Sequence, residues 1–101
     1  MMPALFLGHG SPMNAIEKNC YTAGFQQIAK GLPIPKAILC ISAHWETRGT
    51  YVTAMDRPET IHDFGGFPEP LYQFRYPAPG CLALAERVKR MIKSANVEFD
   101  Y

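Results

Sequence analysis

The sequence lacks any apolar run long enough to cross a bilayer, any block of like charge and any closely spaced cysteine pair. Each absence removes a class of function. A membrane-spanning helix needs about 20 apolar residues, and the first apolar run here stops at Gly8. Met1-Met2-Pro3 carries no basic segment, so no signal peptide is expected. Ten basic and nine acidic residues are scattered along the chain and leave a net charge of +1. That balance gives no electrostatic footprint for nucleic acid or anionic lipid. Cys20, Cys40 and Cys81 are odd in number, far apart and outside any C-x-x-C pattern. A disulfide framework is therefore not expected; reduced, mostly buried thiols in a cytoplasmic protein are. A small molecule or another copy of the chain remains as the partner.

What is present suits a globular domain. At 101 residues the chain makes one domain at most, and 48% apolar residues with 12% aromatics are ample for a packed core. Two apolar runs, Pro3–Gly8 and Lys36–Ala43, read as strands, with a stretch between them long enough for a helical crossover. The second run is apolar on nearly every position from Ala37 to Ile41, as in a parallel sheet covered on both faces. A helix is predicted over Thr22–Lys30, with Thr22 as N-cap, Phe25, Ile28, Ala29 and Leu32 on one face, and Gly31 at its end.

A third extended run covers Thr50–Met55, rich in β-branched and aromatic residues. From Asp56 to Gly80 the chain is irregular, with prolines at 58, 68, 70, 77 and 79 and the aromatics Phe64, Phe67, Tyr72, Phe74 and Tyr76. So many rings favour an ordered wall over a linker. Cys81–Ser94 is predicted as an amphipathic helix, with Leu84, Ala85, Val88, Met91 and Ile92 on its apolar stripe. Val97–Tyr101 alternates like a strand just beginning. The expected class is α/β: a mostly parallel sheet flanked by helices, one domain over 1–101.

The chemistry-bearing residues are few. His9 and His44 each follow one of the two apolar runs, so both imidazoles are expected at the carboxyl edge of one parallel sheet, where open α/β proteins hold ligands. Two imidazoles suit iron(II), zinc, copper or nickel. They make half a site, since a stable one wants three or four protein ligands. His62, beside Asp63 in a glycine-rich aromatic loop, reads as a third ligand or as a substrate-facing group. Its alternative is a turn cap formed with Asp63. Trp45 is either core or the floor of an aromatic-substrate pocket. Glu46 lies two residues beyond His44, on the same side of an extended chain, and could supply a carboxylate ligand. Ser11 invites a hydrolase reading, but Gly8-His9-Gly10-Ser11-Pro12 is not G-x-S-x-G and no later histidine follows in the needed order. Nor does this segment have the Gly-Lys-Ser/Thr ending of a P-loop.

Four segments together carry a resemblance: Leu-Gly-His-Gly-Ser-Pro-Met (7 to 13), Ser-Ala-His-Trp (42 to 45), Ile-His-Asp-Phe-Gly-Gly-Phe-Pro (61 to 68) and Tyr-Pro-Ala-Pro-Gly (76 to 80). In this order they closely resemble the N-terminal part of the DODA-type extradiol dioxygenases, the 4,5-DOPA branch of the class III ring-cleaving enzymes. The resemblance implies that His9 and His44 are metal ligands and that the His62–Pro68 loop borders the active site. Together with the residue readings above, this leaves His62, Asp63 and Trp45 as the candidate substrate-binding residues. It further implies a divalent metal, a catechol such as DOPA and dioxygen. Iron(II) is the metal suited to turnover, and zinc, which has no redox chemistry, is the one often described in relatives.

The chain also departs from that pattern. Members of the family are much longer, with further metal-binding histidines and an acid/base histidine in an Asp-His-Gly motif later in the chain. No histidine follows His62 here. The expectation is a fragment, weak or inactive by itself, with a sheet edge left open. Self-association or a second chain completing the site is one consequence. A non-catalytic remnant is the alternative, and a metal-dependent hydrolase a third.

Overall fold

The computed structural model describes residues 2–101. They form two compact units: the chain up to Lys36 together with His62–Phe74, and Ala37–Ile61 together with Arg75–Tyr101.

In the first unit a 3-10 turn, Pro12–Ala15, precedes helix α1, Cys20–Lys30. The predicted N-cap is displaced by three residues: Asn19 takes that place, and Thr22 is the third residue of the helix. The reason is reciprocal capping. The Asn19 side-chain oxygen accepts from the N–H groups of Tyr21 and Thr22, at 2.9 and 3.0 Å, while Thr22 Oγ1 accepts from Asn19 N at 2.8 Å. Gly31 closes the helix as expected, its N–H donating to the carbonyls of Gln27 and Ile28. Asn19→Ala should therefore cost about 1 kcal/mol, read as a lower urea midpoint at unchanged m-value. A five-residue helix, α2, Glu69–Gln73, packs on the 3-10 turn and carries the buried Leu71.

The second unit is a β-α-β arrangement. Strand β1, Thr50–Thr53, pairs in parallel with β2, Val97–Asp100, in the register Thr50 to Val97 through Thr53 to Asp100. Helix α3, Leu82–Met91, lies between them in the chain and packs on both. Beyond the pairing, Ala54 N donates to Asp100 O at 2.7 Å. Ala85 of α3, Val97 of β2 and Ala54 are buried together as the core of this unit. Lys89 and Arg90 occupy the last turn of α3, where the helix dipole favours cations. Lys89 Nζ also stands 5.1 Å from the centre of the Phe99 ring. Both strands and this helix lie within the runs that the sequence marked, and the class is α/β. The apolar stripe is shorter than predicted. The helix stops at Met91, and Met91 and Ile92 are exposed because Ile92 has already turned to extended backbone.

Gly80 fixes the approach to α3. Its N–H donates to Asp56 O at 2.8 Å, and a β-carbon there would run into the Met55 carbonyl oxygen. The obstacle is backbone, so it cannot swing aside. Gly80→Ala should lower stability by about 1–3 kcal/mol, seen as a fall in thermal midpoint, whereas Gly65→Ala, with open space around it, should stay within about 0.5 kcal/mol.

Two expectations fail. Pro3–Gly8 and Lys36–Ala43 adopt no strand, and the one sheet among the described residues consists of β1 and β2. A strand needs a ladder partner as well as an apolar sequence, and neither run has one in that sheet. Phe6, Ile38 and Ile41 are 103%, 74% and 93% exposed. His9 and His44 consequently do not follow strands of a common sheet. Cys20, Cys40 and Cys81, expected to be mostly buried, are all exposed. Among the described residues no helix is long and apolar enough to cross a membrane.

Candidate functional site

His9 sits between Gly8 and Gly10, and Gly10 has φ +70°, a left-handed conformation that glycine enters at little cost. A run of amide side chains fixes the backbone at this histidine. Asn14 Nδ2 donates to His9 O at 2.8 Å, and Asn14 Oδ1 accepts from Asn19 Nδ2 at 2.8 Å. Asn19 in turn caps α1, so the position of His9 is tied to the start of that helix. Asn14 and Asn19 were not singled out by sequence reasoning. The available signal was an Asn just ahead of an apolar periodic run, which marks a helix start. Ser11, the hydrolase candidate, caps the 3-10 turn instead, its Oγ accepting from Met13 N at 3.2 Å.

His62 opens a self-packed loop in the same unit. Its Nε2 is 2.8 Å from Phe74 O. A carbonyl oxygen only accepts, so Nε2 carries the hydrogen of this bond and Nδ1 is the nitrogen left with a lone pair in the neutral ring. The imidazole meets Phe64 edge-on at 5.9 Å, and Phe64 meets Phe67 at 5.4 Å and Tyr72 at 5.1 Å. Tyr72 OH accepts from Phe67 N at 3.2 Å, which closes the loop across Gly66 at φ +77°. This is the ordered aromatic wall the composition suggested. Asp63 beside it is exposed.

His44 lies in the second unit, in a turn built by Ser42. Ser42 Oγ accepts from His44 N at 3.2 Å, and Ser42 O accepts from Trp45 N at 3.4 Å. Trp45 is half-buried and Glu46 is exposed. The same unit holds an open depression of about 840 Å³ between the Asp56–Thr60 segment and Arg75, Pro77, Ala78 and Pro79. No histidine lines it.

The donor chemistry of these residues matches a borderline divalent metal, but their number does not. Among the described residues no three His, Cys, Asp or Glu side chains gather where they could hold a metal ion.

The family described as the catalytic LigB subunit of aromatic ring-opening dioxygenase matches residues 3–101. The 4,5-DOPA dioxygenase extradiol of Escherichia coli K12 is 59% identical over 99 residues, which cover 98% of this chain and 36% of that protein. The protein of the same name from Beta vulgaris is 43% identical over 92% of this chain and 38% of its own length. That of Mirabilis jalapa is 36% identical over 97% of this chain and 38% of its own. The chain thus spans little more than a third of the length of these relatives.

Proposed function

We propose a function from one premise: this chain belongs to the family of the catalytic LigB subunit of aromatic ring-opening dioxygenase, which matches it over residues 3–101. It works as part of an extradiol dioxygenase that opens the ring of a catechol such as DOPA next to its two hydroxyls. Both atoms of dioxygen enter the product, so the reaction needs neither a reductant nor a leaving group. His9 and His44 each contribute one imidazole nitrogen to a divalent metal, iron(II) for turnover or zinc as a redox-silent occupant. The remaining ligands come from outside residues 1–101, on a second chain or on further sequence. His62, Asp63 and Trp45 border the catechol. The Asn14 and Asn19 amides hold the His9 backbone still, and the Phe74 carbonyl sets the tautomer of His62. Its three cysteines are not disulfide-bonded and suit a reducing compartment, so the cytoplasm is the proposed location.

The observation that carries this reading is that the family match runs through both histidines. One observation favours a second reading, a non-catalytic remnant: no three metal-ligand side chains gather among the described residues. The two separate in one assay. The chain is co-expressed with the part of the E. coli relative that it does not match, loaded with iron(II) and DOPA under nitrogen, then opened to oxygen. A yellow semialdehyde product, absent from the His9→Ala/His44→Ala variant, supports the dioxygenase. Intact DOPA in a sample that has assembled leaves the remnant. Hydrolysis of a test ester or phosphoester in place of ring opening would overturn both.

A further inference from the structure

The aromatic loop has no strand ladder at its neck: residues 60–62 and 74–76 belong to no strand. Gly65 and Gly66 make the loop costly to order, because glycine loses the most backbone freedom on folding. Pro68 and Pro70 carry no N–H to donate. Side chains take over the work of a ladder. In the first unit His62 Nε2 donates to Phe74 O at 2.8 Å. In the second unit Thr60 Oγ1 accepts from Tyr76 N at 3.0 Å. Thr60 and Tyr76 each lie two residues outside His62 and Phe74, so the two pairs follow one another in antiparallel order along the sequence. Both Thr60 and His62 are half-buried. A surface segment whose ends meet and whose own side chains pack it has the form of an Ω-loop.

We propose that His62 is a positioning residue: with Thr60 it latches the neck of the 62–74 loop, so that the wall of Phe64, Phe67 and Tyr72 is formed before any ligand arrives. This adds a role to the one given to His62 above and rests on the dioxygenase reading only for what the wall borders. The latch needs a hydrogen-bond donor at the position of Nε2 and makes a sharp demand on substitutes. Glutamine carries an amide nitrogen at the same number of bonds from Cβ, so it can reach the Phe74 carbonyl. Phenylalanine keeps a ring against Phe64 but has no donor. The two variants therefore separate a latch from simple ring packing.

The test is amide exchange in the full chain by NMR, without metal or catechol, read at Phe67 N–H, which donates to Tyr72 OH inside the loop. His62→Ala should speed exchange there by about tenfold or more, while α1 stays within about threefold of the parent. His62→Gln should restore the parent rate, and His62→Phe should stay as fast as His62→Ala. Thr60→Val removes the acceptor at the outer position and should speed exchange at Tyr76 N–H by about tenfold or more. Restoration by phenylalanine but not glutamine would overturn the proposal in favour of ring packing. Unchanged exchange at Phe67 in His62→Ala would overturn it too, as would acceleration spread equally through α1. Assembled protein that leaves DOPA intact while the loop follows the expected order would count against the catalytic reading alone.

Discussion

Leu71→Ala should dissolve the order of the first unit. Leu71 is 2% exposed, the one buried residue there among those described, and it lies in α2, which packs on the 3-10 turn that follows His9. Removing a buried leucine side chain costs about 2–5 kcal/mol, because transfer energy and a cavity are lost together. A unit of roughly fifty residues has only about 2–7 kcal/mol to lose. The substitution therefore removes most of its stability. The expected signs are loss of the near-ultraviolet signal from Phe64, Phe67 and Tyr72 and rapid proteolysis within 62–74. Phe6→Ser, at a fully exposed side chain, should change neither. Equal damage from the two would mean that Leu71 is not the centre of this unit.

The sequence was most legible where local signals agreed with tertiary structure. Helix α3 combines a 3.6-residue apolar period with cations in its last turn, and it forms within the predicted span. The runs at Thr50 and Val97 are β-branched or alternating, and each found the other as ladder partner. Apolarity alone was a weaker guide. It marked Pro3–Gly8 and Lys36–Ala43 as segments that need burial but could not say whether polypeptide to cover them is at hand. Helix α2 escaped notice because five residues with proline in the first turn leave no period to read.

At the candidate site, the sequence supplied the residues but not their supports. Gly10 beside His9 and Gly66 in the His62 loop take positive φ, which glycine adopts at little cost. The Asn14 and Asn19 amides and the Phe74 carbonyl bond through contacts five and twelve residues away, beyond any motif. Capping chemistry at Asn19 alone was within reach of the sequence.

The largest functional effect is expected from the histidine pair. His9 and His44 are the whole of this chain's proposed contribution to the metal, so losing either leaves a single imidazole. Even groups that merely orient metal ligands change affinity by about 10–100-fold. Removing a ligand itself should cost at least that much. Zinc is the suitable probe, because it binds imidazole without redox side reactions.

The deciding measurement is the zinc content of the purified chain after equilibrium dialysis, compared with His9→Ala, His44→Ala and the double variant at matched helicity. The account predicts weak zinc binding by the parent chain, as befits half a site, at least tenfold weaker binding in each single variant and none in the double variant. Undiminished zinc in the double variant would contradict it.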